Sequence, residues 1–216
     1  MIWGQVRDKI KHMPGILSDV PVQPAPLEPP GRRWTRSDCE VLETSGLLDH
    51  ERLELVEGEL ISKTGKNRTH SITVGLLRNW LAAIFGLLLV ETGVPIDVAP
   101  QDNHSNEPEP DATVLTRDFR MFAANPQPAD LQLVVEVSDS TLTIDLTAKA
   151  RLYARAGIVE YWVIDIRGRR LMVHHDPGEG VYSSVMVYGE FETVSPLAVP
   201  EAWFRVADVL PALTAS

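Results

Sequence analysis

An almost unbroken apolar run, Leu131, Leu133, Val134, Val135 and Val137, constrains this chain more than any other stretch, because a single charge, Glu136, interrupts it. The run is rich in β-branched residues and too short for a helix, so it predicts a strand buried on both faces. A carboxylate in such a strand is costly to bury unless a cation compensates it, and a metal ion or a lysine would serve. Turn-forming residues 138–143 follow. From about Asp145 the pattern becomes helical, with Leu146, Ala150, Tyr153 and Ala154 on one face and Gly157 as the stop. Lys149 falls within that helix. The expected unit is strand, polar turn, helix, with an acid at the strand end and an ammonium about one turn into the helix.

Charge limits the partners such a unit can have. The chain has 216 residues and a formal net charge of −10, so any surface that meets nucleic acid must be a local basic patch or a metal-filled site. A lone cysteine, Cys39, excludes an internal disulfide, and no apolar run approaches the roughly 20 residues of a membrane span. The expectation is a cytoplasmic protein that does not enter a membrane.

Residues 1–30 differ from the rest. Ile2, Trp3, Val6, Ile10 and Met13 fall near helical spacing, Pro14-Gly15 ends the pattern, and prolines 21, 24, 26, 29 and 30 read as an extended linker. Helices this short are marginal alone in water. We therefore expect an N-terminal arm that docks on the domain or on the second subunit of a homodimer, with one domain over residues 31–216.

Within that domain, Thr35 to Asp38 supplies a helix N-cap with an acid three residues on, and the helix runs toward Gly46. Residues 53–61, LELVEGELI, alternate around Gly58 as a hairpin or bent strand that gathers Glu54, Glu57 and Glu59. Ile72, Leu76, Leu77, Trp80, Leu81, Ile84 and Phe85 then define a long amphipathic helix whose start carries Lys63, Lys66, Arg68 and His70. One or two strands are expected over 87–98, another behind Asp111, one over 159–166, its hairpin partner over 171–175, and a closing strand over 181–187.

Asp111, Glu136 and Lys149 together place two carboxylates on predicted strand ends beside a lysine. Two such oxygens can hold a hard divalent cation with open water positions. The same residues also read as a solvated aspartate and a Glu–Lys ion pair. The histidines lack the spacing of a closed zinc site, no glycine-rich phosphate loop occurs, and Ser138 and Ser140 have no nucleophile-elbow context.

Five motifs stand in order along residues 32–210: ELVEGEL, a basic turn with His70 before a long helix, PD, VVEVSDST, and DLTAKARLYARAGIVEYWVID. In this combination the chain resembles the Uma-two family of restriction-endonuclease-like proteins, assigned to the PD-(D/E)xK nuclease superfamily. The resemblance implies an α/β fold with a central mixed β-sheet flanked by helices, and a metal-dependent endonuclease acting on DNA, double-stranded DNA most of all. It implies Mg²⁺, with Mn²⁺ able to substitute, held by Asp111, Glu136 and the Val137 carbonyl, with Lys149 assisting water attack. The position two residues after Glu136, a lysine in the orthodox motif, is Ser138, and the resemblance moves the ammonium to Lys149 on the next helix. Glu57 or Glu59, and His70, are its outer members. The alternatives are a catalytically inactive module that binds nucleic acid or protein, and a hydrolase of nucleotides or small phosphodiesters.

Overall fold

The structure is a computed structural model that describes residues 33–45, 53–63 and 67–212; the expected N-terminal arm and linker lie outside them. The first helix, α1 (Arg36–Thr44), starts as its sequence predicts. The Thr35 side chain accepts from the Asp38 N–H, and the Asp38 carboxylate accepts from the Thr35 N–H, closing a capping box. Next comes the antiparallel hairpin of β1 (Leu53–Val56) and β2 (Glu59–Ser62), in which Val56 pairs with Glu59 across a two-residue turn. Glu57 and Gly58 occupy that turn, both with positive φ, 52° and 74°. Such a turn demands the left-handed conformation at both central positions.

Helix α2 (Arg68–Phe85) is capped by Asn67, whose side chain accepts from the His70 N–H, and buries Leu77 and Leu81. Little of the strand content expected over 87–98 forms. Only β3 (Val90–Glu91) pairs, and Ile96 and Val98 reach the core from irregular backbone. The physical reason lies in where the backbone bonds go: Gly93 N–H donates to Pro110, Ile96 N–H to Pro108 and Asp97 N–H to Pro126. The segment is satisfied by loop carbonyls instead of a strand partner.

The remaining strands are β4 (Ala112–Leu115), β5 (Leu131–Ser138), β6 (Glu160–Asp165), β7 (Arg170–Gly178), β8 (Val181–Gly189), β9 (Thr193–Val194) and β10 (Phe204–Arg205). Strands β3 to β8 form one six-stranded sheet in sequence order. Every pairing in it is antiparallel except β5 with β6, which is parallel. A parallel pair needs a long crossover, and here it is helix α3, residues 142–155, whose middle turn Asp145–Lys149 is π-helical. This is the expected strand, turn and helix unit, with the helix starting three residues before Asp145.

Alternation along β5 sorts its side chains between two cores. Leu133, Val135 and Val137 pack with Leu77 and Leu81 of α2, whereas Val134 packs with Leu152 and Tyr153 of α3. Glu136 has the parity of Val134, so it faces α3. The fold is the mixed sheet flanked by helices that the sequence implies.

Candidate active site

The parallel β5–β6 pair leaves its polar end open between α3, the β1–β2 hairpin and the start of α2. Glu54, Lys63, His70, Asp111, Glu136, Val137, Asp145 and Lys149 line the cleft there, which has a volume of about 70 Å³. Lys149 stands at its centre although it is only 2% exposed. Its Nζ lies 2.8 Å from Glu54 Oε1, 2.9 Å from Glu136 Oε1 and 3.8 Å from Asp145 Oδ1. Asp145, Lys149 and Tyr153 recur every fourth residue and form one stripe of α3. Tyr153 Oη completes the stripe by donating to the same Glu136 Oε1 at 2.9 Å. A π-helical turn inside an α-helix often marks a functional site, and here it contains both Asp145 and Lys149.

Asp145 is fixed independently of the lysine. Ser138 Oγ and Thr141 Oγ1 each donate to its Oδ2 at 2.6 Å. Asp111, directly before β4, accepts at Oδ2 from the Val137 N–H at 2.9 Å, and the same oxygen lies 3.1 Å from His70 Nε2. A carboxylate can only accept, so His70 carries its ring proton on Nε2. On the hairpin side, Glu54 Oε2 accepts from the Glu109 N–H at 3.1 Å and lies 3.8 Å from Lys63 Nζ, which also donates to the Glu109 carbonyl.

Five carboxylates thus line one small cleft: Glu54, Asp111, Glu136 and Asp145, which are buried, and Asp139, which pairs with Arg167. Burial pushes the Glu136 carboxyl up to about 8; Lys149 opposes that shift, and Asp145, Glu54 and Asp111 add to it. Burial likewise raises Asp145, against the pull of Lys149 and its two hydroxyl donors. For Lys149, burial works to lower the pKa, but the attraction of Glu136, Glu54 and Asp145 outweighs it and holds the ammonium above the ordinary lysine range. The two directions agree physically. One ammonium shared among several acids keeps its proton, and the most buried of those acids gains one. Desolvation contributes more to the Glu136 shift than repulsion from the neighbouring acids does.

Asp111, Glu136, Val137, His70 and Lys149 therefore meet in one cleft, but Glu57 and Glu59 lie outside it. Glu57 sits in the hairpin turn, where its carboxylate receives Arg155 Nη2 at 2.6 Å, and Glu59 is exposed on β2. Glu54 takes the position expected of them. It was visible in the sequence only as one of three acids in LELVEGEL.

This constellation can be set beside known proteins. The profile of the Uma2 family, described as "Putative restriction endonuclease", matches residues 40–208. The chain belongs to the Uma2 family. Its fold is similar to a crystal structure described as "a putative nuclease belonging to DUF820", from Anabaena variabilis, with a TM-score of 0.55 and 15% identity over 73% of this chain and 88% of that one. No curated protein matches it. In this Uma2 chain the fourth-residue spacing of Asp145, Lys149 and Tyr153 was readable in advance, and extending the stripe from Lys149 in both directions would have found the other two. Ser138 and Thr141, which hold Asp145, carry no such signal.

A divalent cation suits this donor set. Among the described residues no group of three histidine, cysteine or acidic side chains is arranged to hold a metal. Mg²⁺ does not require one, since it is usually bound through one or two carboxylates and keeps several waters. Asp111 and Glu136 are hard oxygen donors facing a common cleft, in which the carboxylates outnumber the two lysines, Lys63 and Lys149. Among the described residues, Glu136 makes its hydrogen bonds through Oε1.

Proposed function

We propose that this Uma2 chain is a divalent-metal-dependent endonuclease that hydrolyses phosphodiester bonds of DNA. The observation carrying this reading is the convergence of Glu54, Glu136 and Asp145 on a single buried ammonium, with Asp111 lining the same cleft, which is open to solvent at the sheet's polar end. Asp111, Glu136 and the Val137 carbonyl would hold Mg²⁺ or Mn²⁺. The bound ion supplies a Lewis acid for a phosphate oxygen and lowers the pKa of an attacking water.

The chain's own residues do the rest. Lys149 steadies negative charge developing on the phosphate, as a fixed cation in a water-poor site does best. Glu54 and Asp145 hold its ammonium in place from two sides. Tyr153 donates to Glu136 Oε1 and orients that carboxylate, while His70 and the Val137 N–H orient Asp111 through Oδ2. Each reacting group is thereby positioned by a second one. The family description and the printed description of the Anabaena protein support nucleic acid as the substrate class.

The test is cleavage of supercoiled plasmid, a duplex oligonucleotide and a nucleotide in Mg²⁺ or Mn²⁺, with chelator and an Asp111→Ala variant as controls. Metal-dependent cutting of plasmid and duplex, lost in Asp111→Ala, is expected; hydrolysis of nucleotide alone would replace DNA as the substrate. A second reading, a binding module without catalysis, is favoured by one observation: Lys149 is already held by three carboxylates. Duplex binding without cleavage at any metal concentration would establish it.

A further inference from the structure

The two edges of the six-stranded sheet are built in opposite ways. At one, β3 is two residues long and follows directly on a 3₁₀ turn, Leu87–Leu89, so it offers almost no free ladder. At the other, β8 runs for nine residues, VYSSVMVYG, and among the described residues it pairs only with β7. An open edge is a template for pairing with another chain, and proteins normally blunt it with charge, proline or a bulge. β8 holds no charged residue and no proline, and it keeps one constant offset to β7 from Val181 to Gly189, with only the Ser183 and Asp176 position unpaired. Apart from Ser183, its exposed side chains are apolar. Val181, Val185, Met186 and Val187 are about half exposed, and Phe191, just beyond the strand, is 78% exposed.

From this edge we infer that β8 is the dimer interface of the protein, joining two copies as antiparallel neighbours into one continuous twelve-stranded sheet. Charge selects a second copy as the occupant. A chain with a net charge of −10 repels itself over most of its surface, and a two-fold interface sets each patch against itself. An uncharged strip is where self-association escapes that repulsion. Alignment about Met186 sets Met186 against its counterpart, Val185 against Val187 and Ser184 against Tyr188 of the second copy. Because β8 contains no acid, no acid meets an acid within the paired strands. The exposed apolar side chains amount to roughly half of the about 800 Å² that each partner of a stable dimer covers, and the strand backbones and flanking side chains supply the rest. This inference does not depend on the nuclease reading, because the expected arm-mediated dimer and the cleft both lie on other parts of the chain.

Light scattering on the full chain, with and without Val185→Lys and Val187→Lys together, tests it. The unchanged protein should have twice the chain mass, and the double variant, substituted at exposed positions, should fold with an unchanged circular dichroism spectrum while its dimer dissociation constant rises at least tenfold. A Met186→Cys variant, made with Cys39→Ser, should form a disulfide-linked dimer under mild oxidation, because facing residues of antiparallel strands lie within disulfide reach. A full chain of single mass at tens of micromolar overturns the proposal. So does a double variant that remains as dimeric as the parent. A monomer whose β8 amides resist hydrogen exchange would assign the edge to a segment of the same chain, and that also overturns it.

Discussion

Glu136 and Glu160 are both glutamates on central strands of one sheet, 2% and 0% exposed, yet their surroundings have little in common. Glu160 is satisfied by dipoles and one imidazole. It accepts from Trp162 Nε1 at 2.8 Å and from the Leu197 N–H at 2.9 Å, and lies 3.1 Å from His175 Nε2. These partners tie β6 to β7 and to the segment after β9. Glu136 instead faces an ammonium that Glu54 and Asp145 also claim, and it borders a cleft. Burial of an acid is therefore no mark of a site. Charge left in excess beside an opening is the distinguishing feature, because it can be completed only by something that enters from solvent.

The sharpest way to break that contrast is to remove charge from each cluster in turn. Asp111→Asn or Glu136→Gln should cut duplex cleavage by on the order of 10²–10³-fold, the loss seen when one electrostatic element of a preorganised site is deleted, while circular dichroism stays unchanged. Equal cleavage by either variant would mean that the cleft is not where chemistry occurs. Lys149→Met should also abolish cleavage. It should in addition destabilise the fold by about 3–5 kcal/mol in urea unfolding, because Glu136 and its neighbours lose their buried cation. Melting near the parent's temperature would show that the acids simply take up protons.

Glu160→Ala should behave differently. Stranding the Trp162, Leu197 and His175 donors costs about 1–3 kcal/mol for each donor that water cannot reach, with cleavage per folded molecule unaltered. A fall in that specific activity would remove the distinction between staple and site. The same burial makes the contrast depend on pH. The folded Glu136 carboxyl, at about 8, lies above its ordinary value of 4.5. Between those values the folded chain keeps a proton that the unfolded chain releases, so this group's contribution to stability is fully present below about pH 4.5 and is lost as pH rises toward 8. Metal binds the deprotonated form. Mn²⁺ affinity measured by calorimetry should therefore rise up to about tenfold per pH unit below 8 and level off above it, with proton release on binding. A flat profile would detach Glu136 from the metal. The smallest expected effect is that of Tyr153→Phe, which loses one hydrogen bond worth about 0.5–1.5 kcal/mol. It should weaken Mn²⁺ binding by up to tenfold, and unchanged binding would reduce Tyr153 to packing.

Much of this protein follows from local pattern alone. The apolar run with Glu136, the stop at Gly157 and the capping box at Thr35 are short-range consequences of side-chain alternation, glycine and capping chemistry, and each is where the sequence puts it; over 53–61 the sequence allowed a hairpin or a bent strand, and the hairpin forms. Glu136 and Lys149 belong to one strand, turn and helix unit, and Asp111 joined them through the PD motif of the family resemblance, because spacing alone also allowed a solvated aspartate and a Glu–Lys ion pair. The choice among Glu54, Glu57 and Glu59 was not legible in the sequence. It depends on the turn falling at Glu57–Gly58, which takes Glu57 out of the strand, and on the hairpin packing beside α3 so that Glu54 reaches Lys149. Residues 92–98 show the same limit: their apolar pattern predicts strand, but loop carbonyls from Pro108, Pro110 and Pro126 claim their N–H groups. Sequence by itself determined most of the helices and strands, and that Glu136 and Lys149 fall in one strand, turn and helix unit, since those depend on neighbours a few residues away. Tertiary structure alone decided which acid turns inward and how strongly Glu136 is desolvated, since both depend on groups brought together from far apart in the chain.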